Sequence, residues 1–253
     1  MTKNVICMKW GTLYGPEFVN RLYAMVRKNL SGDIRFVCLT DDPKGIRPEV
    51  ECLDCPTLDV RPPYNNKPWR KVNLFGNSEH LFGLEGDWLY LDLDLMVTSA
   101  LEPFFEYQPE KSFIVMYNWT QPGLNIGNTS AYRFRIGADS YLLENLLADP
   151  DGTFKKHSNS QTYISRSIND ICFWPDEWCL LFKVHCVPPW PQRYWKAPPL
   201  PDTAKIVAFP GSPNPHEALE GQWPESIFYK KLYKYTRPAL WVGEIWADCD
   251  ADL

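Results

Sequence analysis

Two aspartates stand two residues apart at the end of an apolar run, where Trp88-Leu-Tyr-Leu91 continues directly into Asp92-Leu93-Asp94. Residues two apart on an extended backbone point to the same side, so the sequence predicts that the two carboxylates aim together. Converging carboxylates repel each other unless a cation lies between them. Mg²⁺ and Mn²⁺ prefer such oxygen ligands and commonly complete their shells with phosphate oxygens. We therefore expect a divalent cation bound together with a diphosphate; the alternative is one turn-capping aspartate and one solvated aspartate.

A basic segment lies about twenty residues before this pair. The stretch from Arg61 to Lys71 contains four basic residues and no acidic one, although the whole chain has a net charge of −5. We interpret it as a local positive patch that opens a helix, whose first backbone amides also favour anions. Arg70 and Lys71 are the candidates for a phosphate clamp. The alternative is a solvated, basic start of a helix.

The first 43 residues predict the scaffold that positions these groups. Val5 to Met8 is a short apolar run that predicts a buried strand, and Gly15-Pro16 opens a helix with proline in its first turn. Ser31-Gly32 closes that helix, and Arg35 to Thr40 predicts a second strand. Strand, helix and strand in this order imply a parallel sheet, whose ligands lie at the carboxyl ends of the strands.

The rest of the chain predicts one α/β domain with irregular insertions and a loop-rich last third. Nine prolines lie between positions 188 and 215, and residues 44–68 are also predicted to be irregular. The further predicted elements are strands at 112–117, 128–134 and 205–209, and helices at 69–81, 140–147, 161–168 and 225–235.

Composition excludes several classes of protein. The chain has 253 residues, of which 45% are hydrophobic and 23% charged, which is typical of a globular protein and excludes general disorder. Its net negative charge makes nucleic acid an unsuitable partner. No apolar run reaches about 18 residues and no leader is evident, so a cytoplasmic protein with eight reduced cysteines is expected. The sequence indicates no oligomeric state.

Several stretches together resemble the GT-A-fold glycosyltransferases, in particular the bacterial group related to the retaining lipopolysaccharide galactosyltransferases and glycogenin. The matching stretches are VICMKWGTLYGPEFVNRLYAMVRKN, FVCLTDD, KPWRKVNLF, WLYLDLDLMVTSALEPFF, GLNIGNTSAYRFR, SNSQTYIS and KIVAFPGSPNPHEA. The resemblance implies a Rossmann-like, mainly parallel mixed sheet flanked by helices. It also implies a single domain over 1–253, with a nucleotide-binding half at 1–100 and an acceptor-side half and tail at 101–253.

The resemblance also implies roles for individual residues. The loop that would cradle the nucleotide contains Lys9, Trp10, Gly11 and Tyr14. Asp41 and Asp42 would lie near the base or ribose, and Lys71 would meet the donor phosphates. Asp94 would chelate the metal, while Asp92 would bridge ribose and metal.

On the acceptor side, the resemblance places 125–130, with Asn125 and Asn128, and Gln161 near the transferred sugar. Relatives carry a histidine, an aspartate and a lysine where this chain has the stretch around Pro210, Ser160 and Asn214. His216 is then the nearest histidine that could complete a metal site.

The implied function is transfer of a sugar from a UDP-sugar to a hydroxyl of a glycan or glycolipid, with Mn²⁺ or Mg²⁺ and retention of configuration. Trp190, Tyr194 and Trp195 are candidates for an acceptor wall; the alternative is a packed surface loop. The basic and aromatic tail from Tyr229 to Tyr235 could touch the inner face of a membrane; the alternative is a solvated helix face.

Three other functions remain open at this point. A phosphatase of the haloacid dehalogenase type also places Asp-x-Asp after an apolar strand, but the later Gly-Asp-x-x-x-Asp motif is missing. A sugar-phosphate nucleotidyltransferase would need a richer glycine and basic loop than Lys9-Trp10-Gly11. A non-catalytic protein that binds nucleotide sugars or carbohydrates is compatible with the 11 tryptophans.

Overall fold

The amino-terminal half begins with the predicted strand–helix–strand unit. In the computed structural model, which describes residues 2–250, strand β1 spans Lys3–Lys9, helix α1 spans Pro16–Asn29 and strand β2 spans Ile34–Thr40. β1 and β2 pair in parallel from Lys3↔Ile34 to Lys9↔Thr40. The predicted parallel pairing of the first two strands is therefore confirmed.

The main sheet has seven strands in the order β3-β2-β1-β4-β7-β6-β8. Its other strands are β3 (Glu51–Asp54), β4 (Asp87–Leu91), β6 (Phe113–Tyr117), β7 (Gly127–Arg135) and β8 (Cys172–Phe173). All neighbouring pairs are parallel except those of β7, which is antiparallel to both β4 and β6. Because β7 runs the other way, its first residues lie beside the carboxyl end of β4.

A smaller sheet is built from β5 (Leu95–Val97), β9 (Cys179–Leu181) and β10 (Ile206–Ala208), in the order β5-β10-β9. β10 is antiparallel to β5 and parallel to β9. The chain passes from the main sheet to this small sheet through Asp92-Leu93-Asp94, since β4 ends at Leu91 and β5 begins at Leu95.

Two hydrophobic clusters cover the two faces of the main sheet. Alternate residues of β1 divide between them: Val5 and Cys7 join the cluster with α1 and the small sheet, whereas Ile6 and Met8 join the other. The second cluster also contains residues of α3 (Tyr141–Ala148) and α5 (Ser160–Ser167). This alternation is the period of two expected for a strand buried on both faces. The structure thus confirms the predicted α/β class, with a mainly parallel sheet flanked by helices.

Some predicted elements are corrected. The helix expected at 69–81 is a 3₁₀ helix over Pro68–Phe75, whose residues after Pro68 are all buried. The tail expected to be helical at 225–235 forms only a 3₁₀ turn at Phe228–Leu232, because none of its residues is buried against the core to stabilise a helix. Helices and strands that the sequence did not predict are β3, β5, β8, β9, α2 (Glu102–Glu106), α4 (Pro150–Lys156), α6 (Pro215–Leu219) and α7 (Leu240–Asp250).

The carboxy-terminal helix packs back on the first helix. Arg21 of α1 forms a bidentate ion pair with Asp250 of α7, and Phe18 contacts the Trp246 ring with centroids 6.2 Å apart. Within residues 2–250, the structure has no helix that is both long enough and apolar enough to cross a bilayer.

Candidate active site

A large cleft opens at the carboxyl ends of β1, β2 and β4, where parallel α/β sheets bind ligands. Its volume is 1260 Å³, somewhat above the range of about 300–1,000 Å³ that is common for small-molecule sites. Five segments with polar side chains contribute to its wall: 9–14, 41, 92–94, 128–130 and 159–161. The loop at 210–214 closes one side. The cleft therefore has room for two ligands.

Asp92 and Asp94 both line this cleft, but not for the reason that the sequence suggested. The strand ends at Leu91, and Asp92-Leu93-Asp94 forms a turn. The Asp92 backbone N–H donates to the Ser130 carbonyl of β7 at 2.8 Å, and the Phe209 N–H donates to the Asp94 carbonyl at 3.0 Å. The prediction of alternation along an extended strand is wrong, because the turn bridges two sheets and brings both carboxylates to the cleft.

The Asp92 carboxylate is held by two side chains. Lys71 Nζ lies 2.6 Å from it, and the Tyr90 hydroxyl donates to Oδ1 at 2.6 Å. Burial, followed by the negative charge of Asp92, raises the pKa of Tyr90 well above its usual value, so this hydroxyl remains a donor. Lys71 also donates to the Thr129 carbonyl at 3.4 Å. Asp92 is thus fixed in position by an ion pair and a hydrogen bond.

Asp94 differs from Asp92 because one of its two carboxylate oxygens has no hydrogen-bond partner. The Tyr14 hydroxyl lies 3.3 Å from Oδ2, but Oδ1 is buried without any hydrogen-bond partner. Burial, together with the charge of Asp92, raises the pKa of Asp94 to about 7. A buried carboxylate oxygen without a donor is unfavourable, and a hard cation would satisfy it. The two aspartates therefore fit Mg²⁺ or Mn²⁺.

A third protein ligand for such a cation is not supplied by this arrangement. In the part of the chain that the structure describes, no group of three His, Cys, Asp or Glu side chains could hold a metal. His216 lies on the exposed face of α6, where its ring contacts Phe18 with centroids 5.9 Å apart, and it does not line the cleft. The structure therefore does not bring His216 to the two aspartates.

Tyr14 links the loop after β1 to the loop after β10. Its hydroxyl lies 3.3 Å from Asp94 Oδ2 and 3.1 Å from Asn214 Oδ1. Asn214 begins α6 with a capping box, in which its N–H donates to Glu217 Oε2 at 2.6 Å. Asn214, where the resemblance led us to expect a lysine, thus has a structural role, because it caps a helix at one side of the cleft.

The rest of the loop after β1 is fastened to its neighbours. The Gly11 N–H donates to Asp41 Oδ2 at 2.9 Å, and the Trp10 indole donates to the Asn66 carbonyl at 3.3 Å. Gly11 has a φ of +64°, which a residue with a side chain would adopt only with strain. Lys9 is buried and donates to the Asp42 carbonyl at 3.2 Å. The four predicted residues of this loop all line the cleft.

Other predicted residues divide between the cleft and its surroundings. Asn128 and Gln161 line the cleft, whereas Asn125 is exposed at φ +54° in the turn before β7 and Asp42 does not line it either. Arg70 borders the cleft, but its guanidinium donates to the carbonyls of Pro56 and Cys55 at 2.9 and 3.1 Å. Arg70 is therefore engaged by the backbone, which leaves Lys71 as the basic side chain next to the aspartates.

Ser160 and its neighbours form the amino-terminal end of α5, which faces the cleft. The Asn159 side chain accepts from the Thr162 N–H at 2.9 Å and caps the helix. Asn159, Ser160 and Gln161 all line the cleft. The first N–H groups of a helix generally have no intrahelical partner, so this end of α5 is suited to present donors to the cleft.

The aromatic acceptor wall expected at Trp190, Tyr194 and Trp195 does not line the cleft. The Tyr194 ring stacks on Tyr235 with centroids 4.9 Å apart, and its hydroxyl donates to the Leu232 carbonyl. These segments pack against each other and leave aromatic side chains exposed, among them Trp190 at 64% and Phe228 at 82%.

Sequence reasoning missed several cleft residues, namely Thr12, Asn66, Asn159, Ser212, Glu217 and Pro224. It also missed Tyr90, although a hydroxyl two residues before Asp92 on a strand is a signal that it could have used. The others come together only through loops that are distant in sequence.

Comparison with solved structures identifies proteins of the same architecture. The galactosyltransferase LgtC, solved with donor and acceptor sugar analogues, is 11% identical, with a TM-score of 0.60 over 96% of this chain and 95% of that one. Apo GlyE, a glycosyltransferase of Streptococcus pneumoniae TIGR4, is 14% identical, with a TM-score of 0.63 over 100% of this chain and 63% of that one. Mouse xyloside xylosyltransferase 1 is 12% identical, with a TM-score of 0.53 over 84% of this chain and 98% of that one.

No protein-family model matches the chain, and no curated protein matches it in sequence. The structural neighbours are GT-A glycosyltransferases, and the likeness at this low identity establishes that the chain has the GT-A fold.

Proposed function

We propose that this protein is a glycosyltransferase that moves a sugar from a nucleoside-diphosphate sugar to a hydroxyl of a glycan or glycolipid. A UDP-sugar is the proposed donor, and retention of anomeric configuration the proposed outcome. The observation that carries the proposal is the buried, unpartnered Asp94 Oδ1 beside the Lys71–Asp92 pair. A cation at this oxygen would lie next to a cationic side chain, and the cleft has the volume for a donor and an acceptor. The GT-A fold supports the same conclusion.

Asp92 and Asp94 would hold Mn²⁺ or Mg²⁺, with diphosphate oxygens and water completing the shell. When bound, the cation would neutralise charge that develops on the departing nucleoside diphosphate. Lys71 would add a fixed positive charge at the same place, where electrostatic stabilisation of the leaving group is most effective. The Tyr90 hydroxyl keeps Asp92 oriented toward the cleft.

The remaining roles follow from the cleft walls. The loop from Lys9 to Tyr14 would cradle the nucleotide, with Asp41 near the base or ribose. Asn128 and Gln161 would orient hydroxyls of the donor sugar and the acceptor, so that the reacting groups are held in alignment. Amide side chains do not act as bases, and the Glu217 carboxylate is engaged by the Asn214 N–H at 2.6 Å. This supports a reaction that does not rely on deprotonation by a strong enzymic base.

A peripheral membrane contact is the proposed route to a lipid-linked acceptor. Segments 188–201 and 226–240 contain six basic and no acidic residues in a chain of net charge −5. The two segments pack on each other through Tyr194 and Tyr235. We name this combined face the basic-aromatic surface; exposed aromatic rings and basic side chains together suit an anionic lipid surface.

The experiment that tests the proposed function is a thermal-shift panel of nucleoside diphosphates with and without Mn²⁺. UDP at about 100 times its Kd should stabilise the protein by about 2.7 kcal/mol. We expect the largest metal-dependent shift with UDP, its loss in Asp94→Ala, and its survival in Asp170→Ala, which removes an exposed aspartate outside the cleft. A larger shift with GDP would contradict the donor, and a shift independent of metal would contradict the cation site.

Two assays separate the alternatives. Turnover of a generic phosphate ester would favour a phosphatase of the haloacid dehalogenase type. Slow hydrolysis of the UDP-sugar in the presence of Mn²⁺ would exclude a protein that only binds nucleotide sugars or carbohydrates.

A further inference from the structure

Lys183 is a basic residue that the proposed mechanism does not use. It lies next to the loop at 210–214, which follows β10 and which we call the late loop. It lies in a single turn of π helix, Phe182–Cys186, directly after β9 of the small sheet. Its Nζ donates to the Pro210 carbonyl at 2.7 Å. Pro210 lines the cleft and begins the loop that ends at Asn214. Lys183 thus connects the small sheet to one wall of the cleft.

The Lys183 ammonium is half-buried and has no counter-ion. Among residues 2–250, no carboxylate oxygen lies within 4.0 Å of Lys183 Nζ. Lys71 differs, because its Nζ lies 2.6 Å from Asp92. The charged groups that face it are Lys234, which is itself paired with Glu225, and Asp94. Charges removed from water are normally paired. An ammonium that has a carbonyl partner but no carboxylate partner points to an anion bound in the adjacent cleft.

The late loop itself cannot supply a positive charge. Residues 209–215 read FPGSPNP and include no lysine or arginine. The loop also connects Lys183 to the aspartates, because Lys183 Nζ donates to the Pro210 carbonyl at 2.7 Å and the adjacent Phe209 N–H donates to the Asp94 carbonyl at 3.0 Å. Burial and the neighbouring Lys234 lower the pKa of Lys183, whereas the charge of Asp94 raises it.

We propose that Lys183 is a second cationic positioning residue of the donor site: it holds the 210–214 loop through Pro210 and directs positive charge at the diphosphate from the side of the small sheet. This inference rests on the proposed function. Lys71 lies against the main sheet and Lys183 against the small sheet, so the diphosphate would be held between two cationic groups.

The test compares a charged with an uncharged nucleotide. Binding of UDP and of uridine is measured by calorimetry at fixed Mn²⁺ for the wild type and for Lys183→Met, Lys183→Gln and Lys183→Arg. Because Coulomb attraction acts on UDP alone, we expect Lys183→Met and Lys183→Gln to weaken UDP by about tenfold and to leave uridine unchanged. Lys183→Arg should retain most of the affinity. Lys183→Gln keeps a donor for the Pro210 carbonyl and therefore isolates the charge.

Lys205→Met is the matched control, because Lys205 also belongs to the small-sheet region but lies over the Trp178 ring and precedes β10, whereas the 210–214 loop follows β10. Equal losses for UDP and uridine would assign Lys183 a purely structural role and overturn the inference, as would unchanged binding of both. These outcomes leave the proposed function intact. A wild-type protein that binds no UDP with Mn²⁺ would overturn the proposed function and this inference with it.

Discussion

Lys71 and Asp92 form an ion pair at 2.6 Å in which the two side chains are only 10% and 15% exposed. Removal of the lysine leaves Asp92 with the Tyr90 hydroxyl as its remaining side-chain donor. We therefore expect Lys71→Met to lower the free energy of unfolding by about 1–3 kcal/mol and to abolish the UDP-induced thermal shift. Urea unfolding measures the first effect.

The control for this prediction is Lys67→Met, which removes an exposed lysine of the same basic segment and should change neither quantity. The double variant Lys71→Met/Asp92→Asn should recover part of the lost stability, since it no longer contains an unpaired charge. A double variant less stable than the sum of the single variants would contradict the pairing.

Tyr14→Phe should weaken donor binding more than it weakens the fold. The change removes the hydroxyl between Asp94 Oδ2 and Asn214 Oδ1 but keeps the ring, which packs on Phe18 with centroids 4.9 Å apart. Loss of one hydrogen-bonding hydroxyl should lower stability by about 0.5–1.5 kcal/mol. The metal-dependent affinity for UDP, measured by calorimetry, should fall severalfold. Tyr229→Phe, on the exposed tail, should alter neither.

Arg133 should be among the most sensitive positions outside the cleft. This buried side chain of β7 donates to five carbonyl groups, those of Phe104, Phe105, Tyr107, Gln108 and Lys111. Arg133→Met leaves these acceptors without a donor and should lower the free energy of unfolding by about 3–5 kcal/mol. Arg135→Met, two residues further along the same strand, breaks a more exposed ion pair with Asp87 and should lower it by less than about 1 kcal/mol. Similar losses in the two variants would contradict this account.

The basic-aromatic surface should bind anionic vesicles. Cosedimentation with phosphatidylcholine vesicles that contain phosphatidylglycerol should capture the wild type, whereas pure phosphatidylcholine should not. Since a basic side chain near an anionic surface contributes about 1 kcal/mol, Lys230→Glu/Lys231→Glu should release the protein. The same reversal of the exposed Lys155 and Lys156 on α4 should have little effect. Equal behaviour of the two double variants would rule out a specific membrane-binding face.

Stability should decrease on mild acidification partly because of His80. Burial lowers the pKa of His80, whose Nε2 lies 3.0 Å from Asn73 Oδ1. The folded protein therefore binds fewer protons at this site than the unfolded chain, whose histidine has a pKa of about 6.5. This contribution is fully present above that pH and is lost as the pH falls below it. His80→Gln, which keeps an N–H donor but does not titrate, should flatten the slope of unfolding free energy between about pH 7.5 and 5.5.

The elements that the sequence predicted well have strong local signals. The first strand, α1 and β2 combine apolar runs with a proline start and a glycine end, and all three are found. The tail illustrates the opposite case, because the stretch 225–235 has good helical composition but no core residue against which to pack. Helix α7 was missed since its stability depends on contacts with α1, more than 200 residues away.

The sequence predicted those site residues that follow strand ends and also lie in the stretches that resemble GT-A glycosyltransferases. Asp92, Asp94, Lys71 and the loop from Lys9 to Tyr14 are all found around one cleft. His216 was proposed as the nearest histidine in the sequence and Asn125 from the resemblance. The structure places His216 on the exposed face of α6 and Asn125 in the exposed segment before β7. Lys183 could not have been found at all from the sequence, because its approach to Pro210 depends on the parallel pairing of β9 with β10. The boundary between two halves at residue 100 stays a prediction.

The Asp92–Asp94 turn is also the place where the chain crosses from the seven-stranded to the three-stranded sheet. An ion bound by both carboxylates would therefore link the two sheets, and its affinity would depend on how the sheets are positioned relative to each other. Ligand binding in the cleft and ordering of the three-stranded sheet would then be thermodynamically coupled. Slower amide hydrogen exchange in β5 and β10 would report occupancy of a cleft that neither strand forms by itself.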